Sequence, residues 1–311
     1  MTIRRILAVV DPTAEEQPAL ERAAWYAKLA GATLELFICD YDQYLAGERF
    51  FDSASLEKAR KSLIDNHLRR LRDRAKALEA RGLEVAVDAR WDRPLDEAIV
   101  RKALESRADL VVKDTHYHSA LRRSIFSNTD WNLIRGCPVP LWLVKPRPMS
   151  DSPRIVAAVD PLHERDKPAA LDHNIMTAAK DLREATGGEL HVFHAYDIAP
   201  ALAVSADSMT MPISLPIREI AESLKQQHSD AVFGLTDEYG VPRDRVHVHE
   251  GSARQLLVTV SEELDADIVV MGAIARSGLE RLFLGSTAEQ VLDHLPCDIL
   301  IVKAPAARDD A

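Results

Sequence analysis

The sequence predicts an α/β protein of two tandem, doubly wound domains, each a five-stranded parallel sheet flanked by helices. Three observations carry this prediction. The chain repeats itself at domain length, apolar strand-like runs alternate with amphipathic helical runs in each half, and a proline-rich stretch separates the halves.

The repeat has three parts in the same order. Residues 4–12, RRILAVVDP, match 154–161, RIVAAVDP. Residues 34–42, LELFICDYD, match 189–197, ELHVFHAYD. Residues 108–145 align without a gap on 266–303. A period of about 155 residues is a whole domain, not a solenoid unit. The stretch from Pro146 to Pro153 is rich in proline and lacks apolar periodicity, so it reads as a short, semi-rigid linker. The expected boundaries are a first domain over 1–147, a linker over 148–153, a second domain over 154–305 and a tail over 306–311.

Each half opens on an apolar strand, Ile6–Val10 or Ile155–Val159. A helix follows, about 14–30 or 168–186, ended by Gly31 or by Gly187-Gly188. Strand two is Thr33–Cys39 or Glu189–Ala195. A long helix comes next, about 53–81 or 214–239, then strand three, Glu84–Ala89 or Arg245–His249. A third helix, about 94–107 or 252–264, leads to strand four, Leu110–Lys113 or Ile268–Met271. A loop, a fourth helix (about 128–136 or 286–294) and strand five (Leu141–Lys145 or Ile299–Lys303) complete the unit. Alternating strands and helices imply right-handed crossovers and a parallel sheet. Strands one, four and five are nearly continuous apolar runs, as expected where helices cover both sheet faces.

Composition narrows the function. The 311 residues carry 39 basic and 49 acidic side chains, a net charge of −10. Wrapping a nucleic acid depends on many lysines and arginines meeting phosphates, so that class is not expected. Cys39, Cys137 and Cys297 form no CxxC pair and no disulfide framework, which suits a reducing cytoplasm. The apolar run after the N-terminal arginines ends at Asp11, too short for a signal-peptide core. No stretch reaches the roughly 18 apolar residues of a membrane helix, so no membrane insertion is expected.

In doubly wound sheets, ligands bind outside the carboxyl ends of the strands at the switch point. After strand four the second half reads Met271-Gly272-Ala273-Ile274-Ala275-Arg276-Ser277-Gly278, and then Leu284-Gly285-Ser286-Thr287. Gly285 and Ser286 open a helix, whose free N–H groups and positive dipole end suit a phosphate. Gly272 lets backbone approach a ligand closely, and the Ser286 and Thr287 hydroxyls can donate to phosphate oxygens. The alternative is a plain turn at Gly285 and an N-cap at Ser286.

This loop resembles the nucleotide loop of the universal stress protein family, whose pattern is Gly-x2-Gly-x9-Gly-Ser/Thr. Asp160 closing strand one and Pro296-Cys297 before the last strand belong to the same resemblance, which covers both halves and suits the family's tandem members. The resemblance implies a stress-response protein that binds ATP or a related adenine nucleotide, with Mg²⁺, in its second half. Val159 and Asp160 would flank adenine and ribose, and Ala195 would lie near the base. Met271 and Gly272 would sit against ribose and phosphates, and Gly285, Ser286 and Thr287 would cradle phosphate. The last strand would pair the two halves as an intramolecular pseudo-dimer, aided by their tethering; a further homodimer of chains is left open.

The second half departs from the pattern at Ala275, where the loop's second glycine belongs, and at Pro161 and Thr287. If the position of Ala275 needs a positive φ, alanine costs on the order of 1–2 kcal/mol. The first half departs further, with Asp114 opposite Gly272, Tyr117 opposite Ala275, and Ser127-Asn128 opposite Gly285-Ser286. A carboxylate there repels phosphate, so the first domain is expected to carry a degenerate nucleotide loop.

Other features have plainer readings. His116 and His118 with Asp114, and His247 and His249 beside Glu250, lack clear third and fourth ligands. Hydrogen-bonded or solvated histidines are favoured over zinc, and no metal site is expected. Trp142 reads as packing. The charged run at 69–76 reads as a solvated helix face, with an acidic partner as the alternative. The segments after strand two are apolar for loops: Tyr41–Leu45 and Phe50-Phe51, then Ile198–Val204 and Met209–Leu215. They either cover the sheet edge or line a pocket for an apolar, lipid-like ligand. No phosphate-loop lysine motif, nucleophile elbow or HExxH is present. The expectation is therefore a cytoplasmic nucleotide-binding sensor rather than an enzyme. An apolar-ligand binder with a vestigial loop and a weak ATPase are the alternatives.

Overall fold

The computed structural model describes residues 2–46, 52–118, 123–162, 170–198, 217–273 and 291–303, with side chains throughout except at 116–118, 123–125 and 217. It divides into two compact units. The first holds Met1–Met149 together with Asp298–Ile301, and the second holds Ser150–Cys297 and the residues from Val302 on.

In the first unit the strands are β1 (Arg5–Val9), β2 (Thr33–Asp40), β3 (Val85–Trp91), β4 (Leu110–Asp114) and β7 (Leu141–Val144). The helices are α1 (Pro18–Ala30), α2 (Ser53–Glu79), α3 (Leu95–Glu105) and α4 (Asn128–Gly136). β1 lies between β2 and β4 with parallel pairing to both, and β3 and β7 extend the sheet in parallel on either side. The central strands are buried apolar runs, with Ile6, Leu7, Val111 and Trp142 at or near zero exposure. Helix α1 starts at Pro18, four residues later than its pattern suggested. Proline at the first helical position lacks only an N–H that has no helical partner there. Gly31 ends α1 in the left-handed region at φ +63°.

Residues 298–301 are the one remote segment in this unit. They open β12 (Asp298–Lys303), whose Ile299–Ile301 pair antiparallel with Leu141–Leu143. Asp298 is fully buried. It accepts hydrogen bonds from Trp142 Nε1 at 3.0 Å and Lys145 N at 2.9 Å, and lies 3.2 Å from Arg22 Nε. Arg22, itself buried, also donates to the carbonyl of Arg147. Burial pushes the Asp298 carboxyl up to about 6, against the pull of Arg22 and its donors.

The second unit has β8 (Arg154–Ala158), β9 (Glu189–Tyr196), β10 (Val246–Glu250) and β11 (Ile268–Ala273), in the order β10-β9-β8-β11 and all parallel. Its helices are α5 (Ala170–Thr186), α6 (Ile217–Glu238) and α7 (Ala253–Glu263). Asp267 fastens its entry, accepting from Ser150 Oγ at 2.7 Å and Arg154 N at 2.9 Å. Among the described residues no helix is long and apolar enough to cross a membrane.

Register corrects one part of the repeat. Val10 N donates to Phe37 O in the first unit, and Val159 N to Phe193 O in the second. Phe37 is therefore the equivalent of Phe193, one residue out of step with the ungapped match of 34–42 to 189–197. A second difference lies after β4. The segment read as loop forms a small antiparallel ladder, β5 (His116–His118) with β6 (Arg123–Ile125).

Replacing Asp298 with alanine should strand Arg22 without its buried partner. We expect a loss of about 3–5 kcal/mol in the first unit's stability, read as a lower urea midpoint. An unchanged midpoint would show that this carboxylate holds nothing together.

Candidate functional site

The carboxyl edge of β8, flanked by β9 and β11, is the switch point of the second unit. Ala158 pairs with Phe193 and Ala157 with Val270. Val159 and Asp160, Ala195, and Met271 and Gly272 therefore come to one sheet edge, as the sequence pattern required. Val159 and Met271 are buried, whereas Asp160, Ala195 and Gly272 are half-buried. Asp160 N donates to Asp172 Oδ1 at 3.0 Å, which ties the turn after β8 to the start of α5. Ala275, Gly285, Ser286 and Thr287 lie outside the described residues, as do Phe50-Phe51 and most of the apolar segment after β9.

Buried imidazoles back this edge. His194 is fully buried, with Nδ1 3.0 Å from the carbonyl of Val159 and Nε2 2.8 Å from His228 Nδ1. A carbonyl only accepts, so Nδ1 of His194 carries the proton. In the neutral ring Nε2 then accepts from His228 Nδ1–H. Tyr196 stacks on His228 with ring centroids 4.7 Å apart. The backbone leading into Asp160 is thus held by a side chain from β9, and His228 on α6 holds that side chain.

Gly272 also has a packing role. A Cβ at this position would lie 2.7–2.8 Å from the side chain of Leu171 at the start of α5. In the first unit the equivalent place belongs to Asp114, since β4 and β11 share register on their central strands. Its carboxylate accepts from Ala19 N, in the first turn of α1, at 2.7 Å. In the second unit a helix side chain packs onto the strand's glycine, whereas in the first a strand carboxylate caps a backbone N–H in the helix's first turn.

The first unit's own edge is a cleft of about 370 Å³, walled by Val9, Val10, Cys39 and Leu95, with Asp11, Asp40, Asp92 and Asp114 among its lining. Most of these carboxylates have partners. Asp40 meets buried His67 at 2.8 Å, Asp92 meets Arg101 at 2.5 Å, and Asp11 accepts from Thr13 N and Oγ1. Burial raises the Asp114 carboxyl to about 7. Asp11 and Asp298 push the same way, while the Ala19 N–H and Lys113 oppose them. Burial also lifts the Cys39 thiol to about 11, so it is protonated at neutral pH.

The start of α4, the first-half counterpart of Gly285-Ser286, is already closed by its own residues. Ser127 Oγ accepts from Asp130 N, and Asp130 Oδ2 accepts from Ser127 N at 2.8 Å, a reciprocal capping box. Lys113 Nζ sits 2.8 Å from Asp130 Oδ1 and donates to the carbonyl of Asp114, with both side chains buried. Sequence reading passed over this group, although two signals were present. Ser127-x-x-Asp130 is a helix-start signature, and Lys113 is a charge inside an apolar strand.

The two units also differ across one sheet face. In the first, Lys102 Nζ meets Glu35 at 2.5 Å and Asp88 at 2.9 Å, and Arg90 bridges Asp88 and Glu105. The second unit has histidines in the places of Glu35, Asp88 and Arg90. His191 Nδ1 lies 3.1 Å from His247 Nε2, and the rings of His247 and His249 run parallel at 6.4 Å. Among the described residues no group of three or more side chains could hold a metal ion.

Comparison with known proteins accords with this layout. The profile described as the universal stress protein family matches residues 2–145 and again 152–303. The chain is 30% identical over 304 residues to universal stress protein E of Escherichia coli K12, covering 96% of this chain and 94% of that one. It is 26% identical to a universal stress protein E homolog of Haemophilus influenzae over the full length of both. Among solved structures, a functionally unknown protein of Pseudomonas aeruginosa PAO1 superposes with a TM-score of 0.74 at 27% identity, over 97% of this chain and 93% of that one. A universal stress protein of Archaeoglobus fulgidus gives 0.65 at 16% identity, over 96% and 98% of the two chains.

Two outcomes follow from this geometry. Gly272→Ala should destabilise the second unit by about 1–3 kcal/mol through overpacking against Leu171, and adding Leu171→Ala should recover part of that loss. Additive losses in the double variant would contradict the contact. Burial, the largest cause, holds His191 and His247 below the ordinary histidine value; Arg245 adds to this for His191, and His191 and His249 for His247. In the unfolded chain these rings take protons at about 6.5, so stability falls as pH drops below that value. His191→Gln with His247→Gln should flatten the decline in urea midpoint between pH 7 and pH 5. A decline as steep as that of the parent would rule out this pair as its source.

Proposed function

The chain belongs to the universal stress protein family, and from that premise we propose that it is a stress-response sensor that binds one adenine nucleotide, ATP or a close relative, in its second unit. The contrast between the two switch points carries this reading. The second presents Gly272 and the loop Gly285-Ser286-Thr287 where the first presents the Asp114 carboxylate and a helix start closed by Asp130. A phosphate chain needs free N–H groups and no opposing anion. Only the second half has a sequence that offers both.

Val159 and Asp160 would flank adenine and ribose, with Ala195 beside the base and Met271 and Gly272 beneath the ribose and phosphates. Gly285, Ser286 and Thr287 would hold the phosphates, with Mg²⁺ as their counter-ion. Asp160, half-buried and fixed through its own N–H to Asp172, is suited to accept from ribose hydroxyls. The nucleotide would act as a bound signal. Turnover is not part of this reading.

Titration calorimetry of the full chain with ATP and Mg²⁺ tests the proposal. We expect one site per chain with micromolar affinity, abolished by Gly285→Asp. This variant keeps both Gly272 and Leu171, and its urea midpoint, measured beside the parent's, separates loss of binding from loss of folding. Absence of saturable binding, or binding that survives in Gly285→Asp, would overturn it.

A further inference from the structure

The first-unit cleft is lined by several carboxylates, and it is a formed cavity at a switch point. Its volume of about 370 Å³ lies within the range of small-molecule pockets, roughly 300–1,000 Å³. Its cations and helix ends are committed elsewhere. The Lys113 ammonium is bonded to Asp130 and to the Asp114 carbonyl, and Ala19 N at the start of α1 is bonded to Asp114. Arg93 lies over the Tyr41 ring, 4.5 Å from its centroid, and Tyr41 packs on Trp91 at 5.1 Å. Two carboxylates, Asp11 on the β1 side and Asp114 on the β4 side, share the cleft and repel each other. Val9, Val10, Pro12 and Leu95 add apolar wall to the same cleft.

We propose that this cleft binds a small organic cation, a primary ammonium carried on a short apolar or aromatic body, with the ammonium between Asp11 and Asp114 and the body against Val9, Val10 and Leu95. The cation would relieve the repulsion between the two carboxylates, and the body would cover apolar wall. This site is independent of nucleotide binding in the second unit.

The binding should depend on pH through Asp114. The groups facing it are Asp11 from the end of β1, the Ala19 N–H from α1, Lys113 from β4, Asp130 behind Lys113 from α4, and Asp298 from β12. Farther around the cleft lie Asp40 with His67, and Asp92 and Arg93. Burial holds the Asp114 carboxyl up to about 7, so it is half-protonated near neutrality and fully charged at higher pH.

The test uses the full chain carrying Gly285→Asp, which removes the nucleotide loop of the second unit. Phenethylamine and putrescine are titrated by calorimetry, with phenethyl alcohol and AMP as the neutral and anionic controls. We expect saturable 1:1 binding of the amines that tightens about tenfold from pH 6 to pH 8, and binding of both controls at least tenfold weaker. Asp114→Asn keeps an acceptor for Ala19 N and should weaken amine binding at least tenfold, as should Asp11→Asn. Amines that do not bind, bind no better than phenethyl alcohol, or bind both variants as well as the parent would overturn the proposal. Binding of AMP in the Gly285→Asp background would also overturn it, because it would show a cleft that accepts phosphate.

Discussion

Inside the first unit the Lys113 ammonium lies 2.8 Å from the Asp130 carboxylate, with both side chains withdrawn from solvent. Removing either partner would leave a buried charge alone, which is why such pairs are retained once formed. This pair also fixes what the surrounding edge can hold. The carboxylate caps the first turn of α4 through Ser127, and the ammonium closes onto the Asp114 carbonyl. An internal anion and an internal cation thus occupy the positions that match Ala288 and Met271 of the second half, and the anion closes the helix start that matches Gly285-Ser286. The duplicated domain keeps its sheet and replaces its ligand-facing groups.

The same substitution of polar chemistry on a fixed frame recurs on the sheet face beside β3 and β10. Lys102, Glu35, Asp88 and Arg90 neutralise one another in the first unit. The equivalent face of the second unit carries His191 and His247, which burial holds below the ordinary histidine value and which need no counter-charge while neutral, with His249 stacked on His247. A partly buried ion network and a neutral imidazole stack solve the same desolvation problem, but only the second depends on pH near neutrality. Behind the second switch point His194 and His228 use imidazoles as fixed hydrogen-bonding spacers, one locked to the Val159 carbonyl and the other stacked on Tyr196.

The architecture was legible in the sequence because its signals are local and repeated. Apolar runs such as Ile6–Val10 and Leu141–Val144 follow from burial on both faces, and Gly31 follows from the left-handed turn that ends α1. The match of 34–42 to 189–197 slipped by one residue because two apolar strands align almost equally well in either register until hydrogen bonds fix them. The β5–β6 ladder was read as loop because three-residue strands leave no periodicity. The partners of Asp298 were invisible for a different reason. Trp142 lies 156 residues away in sequence, and no local pattern marks an acid that will be buried against it. At the candidate site, Val159, Asp160, Ala195, Met271 and Gly272 lie at one edge because they end three adjacent parallel strands, an order that the alternation of strands and helices implies. The packing of Leu171 on Gly272 and the closed start of α4 depend on side chains from separate elements, which spacing alone does not connect.

The claim that the halves have diverged into one phosphate-accepting edge and one phosphate-rejecting edge is tested most directly by photolabelling the intact chain with 8-azido-ATP and mapping the modified peptides. Label is expected within residues 150–303, competed by ATP, and none on peptides containing Asp11, Tyr41 or Asp114. Label on those first-half peptides, competed by ATP in the same way, would contradict it.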